Sequence, residues 1–297
     1  MRRWLMVLVA ATVFCTTTRA FGWNLKWINA NDSCRGSQLW FVHSFTLPSR
    51  PHSAWIEAAS NGRFVVYVNG YNITNDVLAP YPRQSASLRS VTCDVTPFID
   101  DDSCRIAVWY SPFLDGYEGR QLSLTLYGTS ADGTSFAFPA DKNWAWTKAD
   151  AMTYIGDDET ETINANGFSP DWKTCNIPSP LLYPVDVRQD SCIVEPYKPQ
   201  FIRHVYECRY AHSTATSLTF LSPCPFRGWV RVTLRGMRAG TTISVNGLNY
   251  TCSGIMDEQA CRRFTIPRCQ TSTIKILSPS GIKPDNVMSV EAIDIEE

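Results

Sequence analysis

The sequence lacks an excess of charge of either sign: 27 Lys and Arg stand against 28 Asp and Glu, a net charge of −1. That balance excludes binding driven by a basic surface, so nucleic acid is not an expected partner. Beyond residue 22 no apolar run approaches the ~18 residues needed to cross a bilayer, so no membrane span is expected in the mature chain. Helical periodicity is missing as well, apart from one short turn at 149–155. The motifs H-E-x-x-H and G-x-S-x-G, a phosphate-binding loop and a dinucleotide fingerprint are all absent, and no catalytic residue is assigned. No Cys-x-x-Cys pair occurs, which argues against zinc. No cofactor is expected. A structural Ca²⁺ at Asp100-Asp101-Asp102 is the one metal idea, and a polar turn is the plainer reading of those residues.

What is present is a leader and an aromatic-rich body. Arg2 and Arg3, the apolar stretch 4–14 and Thr18-Arg19-Ala20 form a signal-peptide pattern over 1–20. The chain is therefore expected to be exported, periplasmic or extracellular. Phe14 is too bulky to precede a lipidated cysteine, so anchoring at Cys15 is not expected. Without Cys15, ten of the 11 cysteines remain, an even number in an exported chain. Cys93 with Cys104 and Cys252 with Cys261 are the candidate disulfides close in sequence; buried thiols packing as small hydrophobes are the alternative. Asn31, Asn72 and Asn249 head N-x-S/T sequons that matter only in a glycosylating host.

The 297 residues suggest about two domains at ~100–200 residues each. Short alternating runs at 39–47, 54–59, 63–68, 88–95, 105–110, 121–127 and 134–138, punctuated by Gly, Pro, Asn and Asp, predict an all-β sandwich over 21–147. Residues 148–199 read as an irregular connector packed by tryptophans and prolines. Runs at 201–210, 217–221, 229–234, 241–245, 262–266, 273–277 and 287–295 predict a second β-sandwich over 200–297. Both halves carry V-N-G-x-N-x-T, at 68–74 and 245–251. It reads either as kinship between the halves or as the ordinary chemistry of an Asn-Gly hairpin.

Aromatic side chains near loops are the binding signal. Trp109 and Tyr110 end a strand and lead into a loop with Asp115, Gly116, Tyr117, Gly119 and Arg120. A ring that stacks on a sugar face beside an acid and a base suits a carbohydrate site, so Tyr110, Asp115, Tyr117 and Arg120 are the candidate binding residues. Trp109 reads equally as sandwich core. Asp115 with Glu118 and Asp257 with Glu258 are acid pairs by adjacency only, and solvated turn residues are their ordinary role.

A family resemblance is carried by Trp27-Ile28, by Leu39-Trp40-Phe41 with Phe45, and by Arg63-Phe64-Val65-Val66-Tyr67-Val68-Asn69-Gly70. Asp94-Val95-Thr96, Ile106-Ala107-Val108 and Asn166-Gly167-Phe168 through Asp171-Trp172 continue it. In the second half it runs through 245–250, 253–254 and 257–264. In this order the motifs resemble the N-terminal β-sandwich region of bacterial α-L-rhamnosidases. The resemblance implies galactose-binding-like or jelly-roll sandwiches and a glycan partner, such as a rhamnose-containing plant or bacterial polysaccharide. In that family a helical (α/α)6 barrel follows the sandwiches and holds the catalytic acids. Nothing up to Glu297 matches it, so no catalytic position carries over. The expectation is a secreted, non-catalytic carbohydrate-binding or accessory protein. The alternative is a truncated or split glycoside hydrolase of the α-L-rhamnosidase type, whose catalytic domain lies on a partner chain.

Overall fold

The computed structural model describes residues 22–30, 37–74, 88–112, 119–149, 153–155, 159–167, 170–197, 200–266 and 271–296. The leader 1–20, Cys15, Asn31, Cys34 and Cys269 lie outside them. The described chain is all-β, as its alternation predicts.

The first half supplies β1 (Gly22–Asn29), β2 (Leu39–Thr46), β3 (Pro51–Ser60), β4 (Gly62–Val68), β5 (Tyr71–Asn72), β6 (Leu88–Asp94), β7 (Ser103–Pro112), β8 (Ser123–Ser130), β9 (Ser135–Pro139) and β10 (Ala145–Lys148). The middle adds β11 (Thr153–Ile155), β12 (Glu161–Asn164), β13 (Tyr183–Pro184) and β14 (Asp186–Pro196). The second half adds β15 (Ile202–Glu207), β16 (Arg209–Ser213), β17 (Ser217–Phe226), β18 (Gly228–Leu234), β19 (Thr242–Val245), β20 (Leu248–Thr251), β21 (Glu258–Ala260), β22 (Thr271–Leu277) and β23 (Val287–Ile295).

Two sandwiches result. The first packs a sheet ordered β1-β14-β6-β3-β8-β9 on one ordered β13-β10-β2-β7-β4-β5. Its core alternates along each strand, with Phe41, Ile56, Phe64, Val66, Ile106, Val108, Leu124 and Leu126 pointing inward. The second packs β11-β12-β20-β19-β22-β17-β16 on β15-β23-β18-β21. Its core is mainly aliphatic, from Leu218, Val232, Leu234, Ile243, Val245, Ile274, Ile276 and Val290.

The segment 148–199 is more regular than its composition suggests. β13 and β14 complete the first sandwich, while β11 and β12 extend the second. Both Asn-Gly pairs form two-residue hairpins, with φ of 50° and 89° at Asn69 and Gly70 and of 48° and 73° at Asn246 and Gly247. These positive values suit Asn and Gly and match the type I′ turn that strand twist favours.

Three features differ from the sequence expectations. The run 201–210 is two strands: the chain leaves one sheet at β15, passes Cys208 and enters the other at β16. The run 262–266 is no strand, because the Glu161 carboxylate takes its backbone N–H groups. Arg263, Phe264 and Thr265 donate to it at 2.7, 2.8 and 2.6 Å. The described structure also contains no bond from Cys93 to Cys104 or from Cys252 to Cys261. Cys252 lies in the second core, whereas Cys261, just after core-facing Ala260 at the end of β21, packs with a separate cluster that includes Trp229 and Ile293. Burial pushes the thiol pKa of Cys104 and of Cys252 up to about 12, which keeps both groups protonated.

The sandwiches meet at a seam of rings. Trp40 and Trp109 project from the outer face of β2 and β7 and pack with Trp172 and Phe264. Trp109 meets Phe264 edge-on at 5.0 Å, an arrangement worth ~0.5–1.5 kcal/mol beyond burial.

Candidate functional site

The loop singled out in the sequence does not assemble a site among the described residues. Tyr110 is core: it is 1% exposed, and its hydroxyl donates to Asn61 Oδ1 at 2.8 Å. Burial also pushes the phenol pKa above its ordinary range. No ligand reaches a ring held there, so Tyr110 is removed from the candidate binding residues. Arg120 donates through Nε to Asp190 Oδ2 at 2.9 Å, and this bond holds the Asp190 carboxyl below the usual range. Asp115 and Tyr117, like Glu118, lie outside the described residues. Trp109 belongs to the seam, where Nε1 donates to Gln38 Oε1 at 3.2 Å.

The second acid pair is structural. Asp257 pairs with Arg235, and the buried Glu258 carboxylate accepts from Tyr250, Ser253 and Gly254. In the aspartate run, Asp101 Oδ1 accepts from Ser103 N at 2.7 Å, the polar-turn geometry. Among the described residues no group of three His, Cys, Asp or Glu side chains is arranged to hold a metal ion.

A cleft of about 380 Å³ opens instead between β2 and β9. That volume lies within the ~300–1,000 Å³ range usual for small-ligand sites. β2 sends Leu39, Phe41 and Phe45 into the core, and His43 occupies the same inward row. The sandwich is open at that level, so His43 and Phe138 of β9 are only half-buried and form the apolar wall. Ser44, Thr46, Asp141 and Asn143 add polar groups. The Ile28–Leu122 bridge sets β1 against the start of β8 and brings Lys26 to the lip.

Local chemistry holds this wall in place. The turn before β10 is closed by Asp141, whose carboxylate accepts from Asn143 N and Asn143 Nδ2, each at 2.9 Å. The Asn143 carbonyl is left facing His43 Nδ1 at 3.1 Å. The His43 ring stacks on Trp144 with centroids 5.6 Å apart and meets Phe45 edge-on at 4.3 Å. Burial lowers the imidazole pKa, against the opposing pull of Asp141 and the Asn143 carbonyl. Half-buried rings beside amide and carboxylate groups suit a polyol with one apolar face. The sequence signal for this site was a polar histidine in an otherwise apolar inward row; the opening of the sandwich beside it has no sequence signature.

No protein-family model matches the chain. An α-L-rhamnosidase of Formosa agariphila is 24% identical over 175 residues, 51% of this chain and 19% of that protein. The chain resembles part of an α-L-rhamnosidase. Solved α-L-rhamnosidases share its fold. The Dictyoglumus thermophilum structure superposes with a TM-score of 0.75 at 16% identity, covering 92% of this chain and 35% of that one. The Streptomyces avermitilis structure, determined in complex with L-rhamnose, gives 0.73 at 19% identity over 88% and 28%. That of Aspergillus terreus gives 0.68 at 16% identity over 92% and 36%. The chain thus spans 19% of the curated α-L-rhamnosidase and 28–36% of these solved ones.

Proposed function

We propose that this chain is an exported, non-catalytic carbohydrate-binding part of an α-L-rhamnosidase-type system, holding a rhamnose-containing glycan in the His43 cleft. The observation that carries this reading is the cleft itself: half-buried rings and convergent polar groups on a sandwich scaffold. The kinship to α-L-rhamnosidases supports the choice of glycan. Calorimetry of the full chain against rhamnose-containing and rhamnose-free oligosaccharides tests it. Saturable binding of the former, weakened by Phe138→Ala, is expected; absence of binding to every glycan overturns it.

Partial coverage of the relatives supports a second reading, in which this chain works beside a catalytic domain on another polypeptide. The first reading expects no turnover of an aryl α-L-rhamnoside by this chain alone, and the second expects turnover only once the partner polypeptide is added. Enzyme-like turnover by the pure chain overturns both.

A further inference from the structure

We propose that His43 is the hydroxyl-selecting group of the cleft: its Nε2 accepts a hydrogen bond from a ligand O–H, and the ligand is released when that nitrogen takes a proton. This rests on the saccharide reading of the cleft and specifies the atom that reads the ligand.

The tautomer follows from the partner. A backbone carbonyl only accepts, so the contact from Asn143 O to Nδ1 requires the hydrogen on Nδ1. In the neutral ring the lone pair is therefore on Nε2. Among the described residues nothing hydrogen-bonds to Nε2, and it is not among the buried polar atoms that lack a partner. It thus meets solvent, in a ring that lines the cleft. Trp144 and Phe45 fix the ring plane, so the lone pair has a set direction.

The rest of the lining makes this acceptor distinctive. Lys26 only donates; each Asp141 oxygen accepts once from Asn143 and keeps a second lone pair, so Nε2 shares the acceptor role with a carboxylate while being held on a ring of fixed plane. A ligand that donates a hydroxyl is favoured over an ether or a methyl at that point, because an acceptor facing an apolar group loses its water without replacement.

The charged groups around the ring set the direction of its pH response. Asp141, on the turn before β10, favours the second proton, while burial of the ring disfavours it. Lys26 reaches the cleft from β1. β7 presents Ile106 opposite His43. The Cys175 thiol, which donates to the His43 carbonyl, is neutral, its pKa pushed up to about 11. The ring is therefore neutral at pH 7 and binding-competent. Below the ring pKa, apparent affinity falls about tenfold per pH unit, since only the neutral fraction binds.

Nitrogen-15 spectra of the imidazoles test this on the full chain, which has four histidines; His43→Phe assigns the signal. The expected result at pH 7.5 is a proton on Nδ1 and a lone pair on Nε2. A panel of neutral methyl glycosides, methyl α-L-rhamnopyranoside included, should shift the Nε2 resonance and lower the ring pKa. His43→Phe should weaken binding about tenfold and flatten its pH profile. A proton on Nε2 at pH 7.5 overturns the proposal at once. A glycoside that binds without moving Nε2 overturns it while leaving the saccharide reading intact. If no glycoside binds at any pH, both fall together.

Discussion

The two sandwiches solve the same packing problem with different side chains. The first fills its core with Phe41, Phe45, Phe64, Tyr110, Phe136 and Trp144. At the β2–β9 edge the half-buried rings of His43 and Phe138 line the cleft. The second uses mainly Leu, Ile and Val, which interdigitate more evenly. Its polar investment is the seam, where buried Glu161 binds the 262–266 strap that presents Phe264 to Trp109. The ring-built core thus borders the His43 cleft, and the aliphatic one carries the strap.

The sharpest way to break this division is at Glu161. Its carboxylate accepts three backbone N–H groups and the Thr265 hydroxyl, with Arg262 Nε at 3.9 Å. Glu161→Ala leaves three backbone N–H groups without their acceptor and removes the carboxylate beside the buried Arg262. A loss of about 3–5 kcal/mol is expected in chemical denaturation. If the strap is what joins the halves, a single calorimetric unfolding transition should split into two.

Leu234→Ala, in the aliphatic core, should cost about 2–5 kcal/mol while leaving saccharide affinity of the remaining folded protein unchanged. A matched loss of binding, read by calorimetry well below the melting temperature, would show the cleft to depend on the second sandwich.

Gly247→Ala probes the seam more gently. The position has φ +73°, and an added Cβ would lie 3.1 Å from Arg262 Nη1. Left-handed strain of about 1–2 kcal/mol is expected, read as a lowered denaturation midpoint with an unchanged slope.

The smallest effect is the pH dependence contributed by His43. Its folded-state pKa lies below the ordinary value of 6.5, so the unfolded chain takes the proton first as pH falls. Its stabilising contribution is complete above about 6.5 and declines as pH falls through the folded-state value. Subtracting the His43→Phe profile from the parent's should isolate that decline; parallel profiles would refute it.

Legibility in the sequence was uneven. Alternation located most strands because a half-buried strand must place apolar residues at every second position. The Asn-Gly turns were legible because positive φ at adjacent positions is costly for other residues. The strap 262–266 carries the same alternation, yet the competing acceptor at Glu161 is about 100 residues away and invisible to local reading. Tyr110 misled for a related reason. A tyrosine ending a strand beside a glycine-rich loop has the composition of a binding residue, and only the distant Asn61 oxygen makes it core.

By itself, then, the sequence determined an all-β chain with hairpins at Asn69-Gly70 and Asn246-Gly247 and an inward row on β2 that includes His43. These follow from backbone sterics and from the two-residue period of a strand, which act within a few residues. The tertiary structure alone decided that His43 faces a cleft while Tyr110 is sealed, and that β13 and β14 close the first sandwich. Those outcomes depend on which strand edges meet and where two sheets part, and contacts between residues far apart in the chain set both.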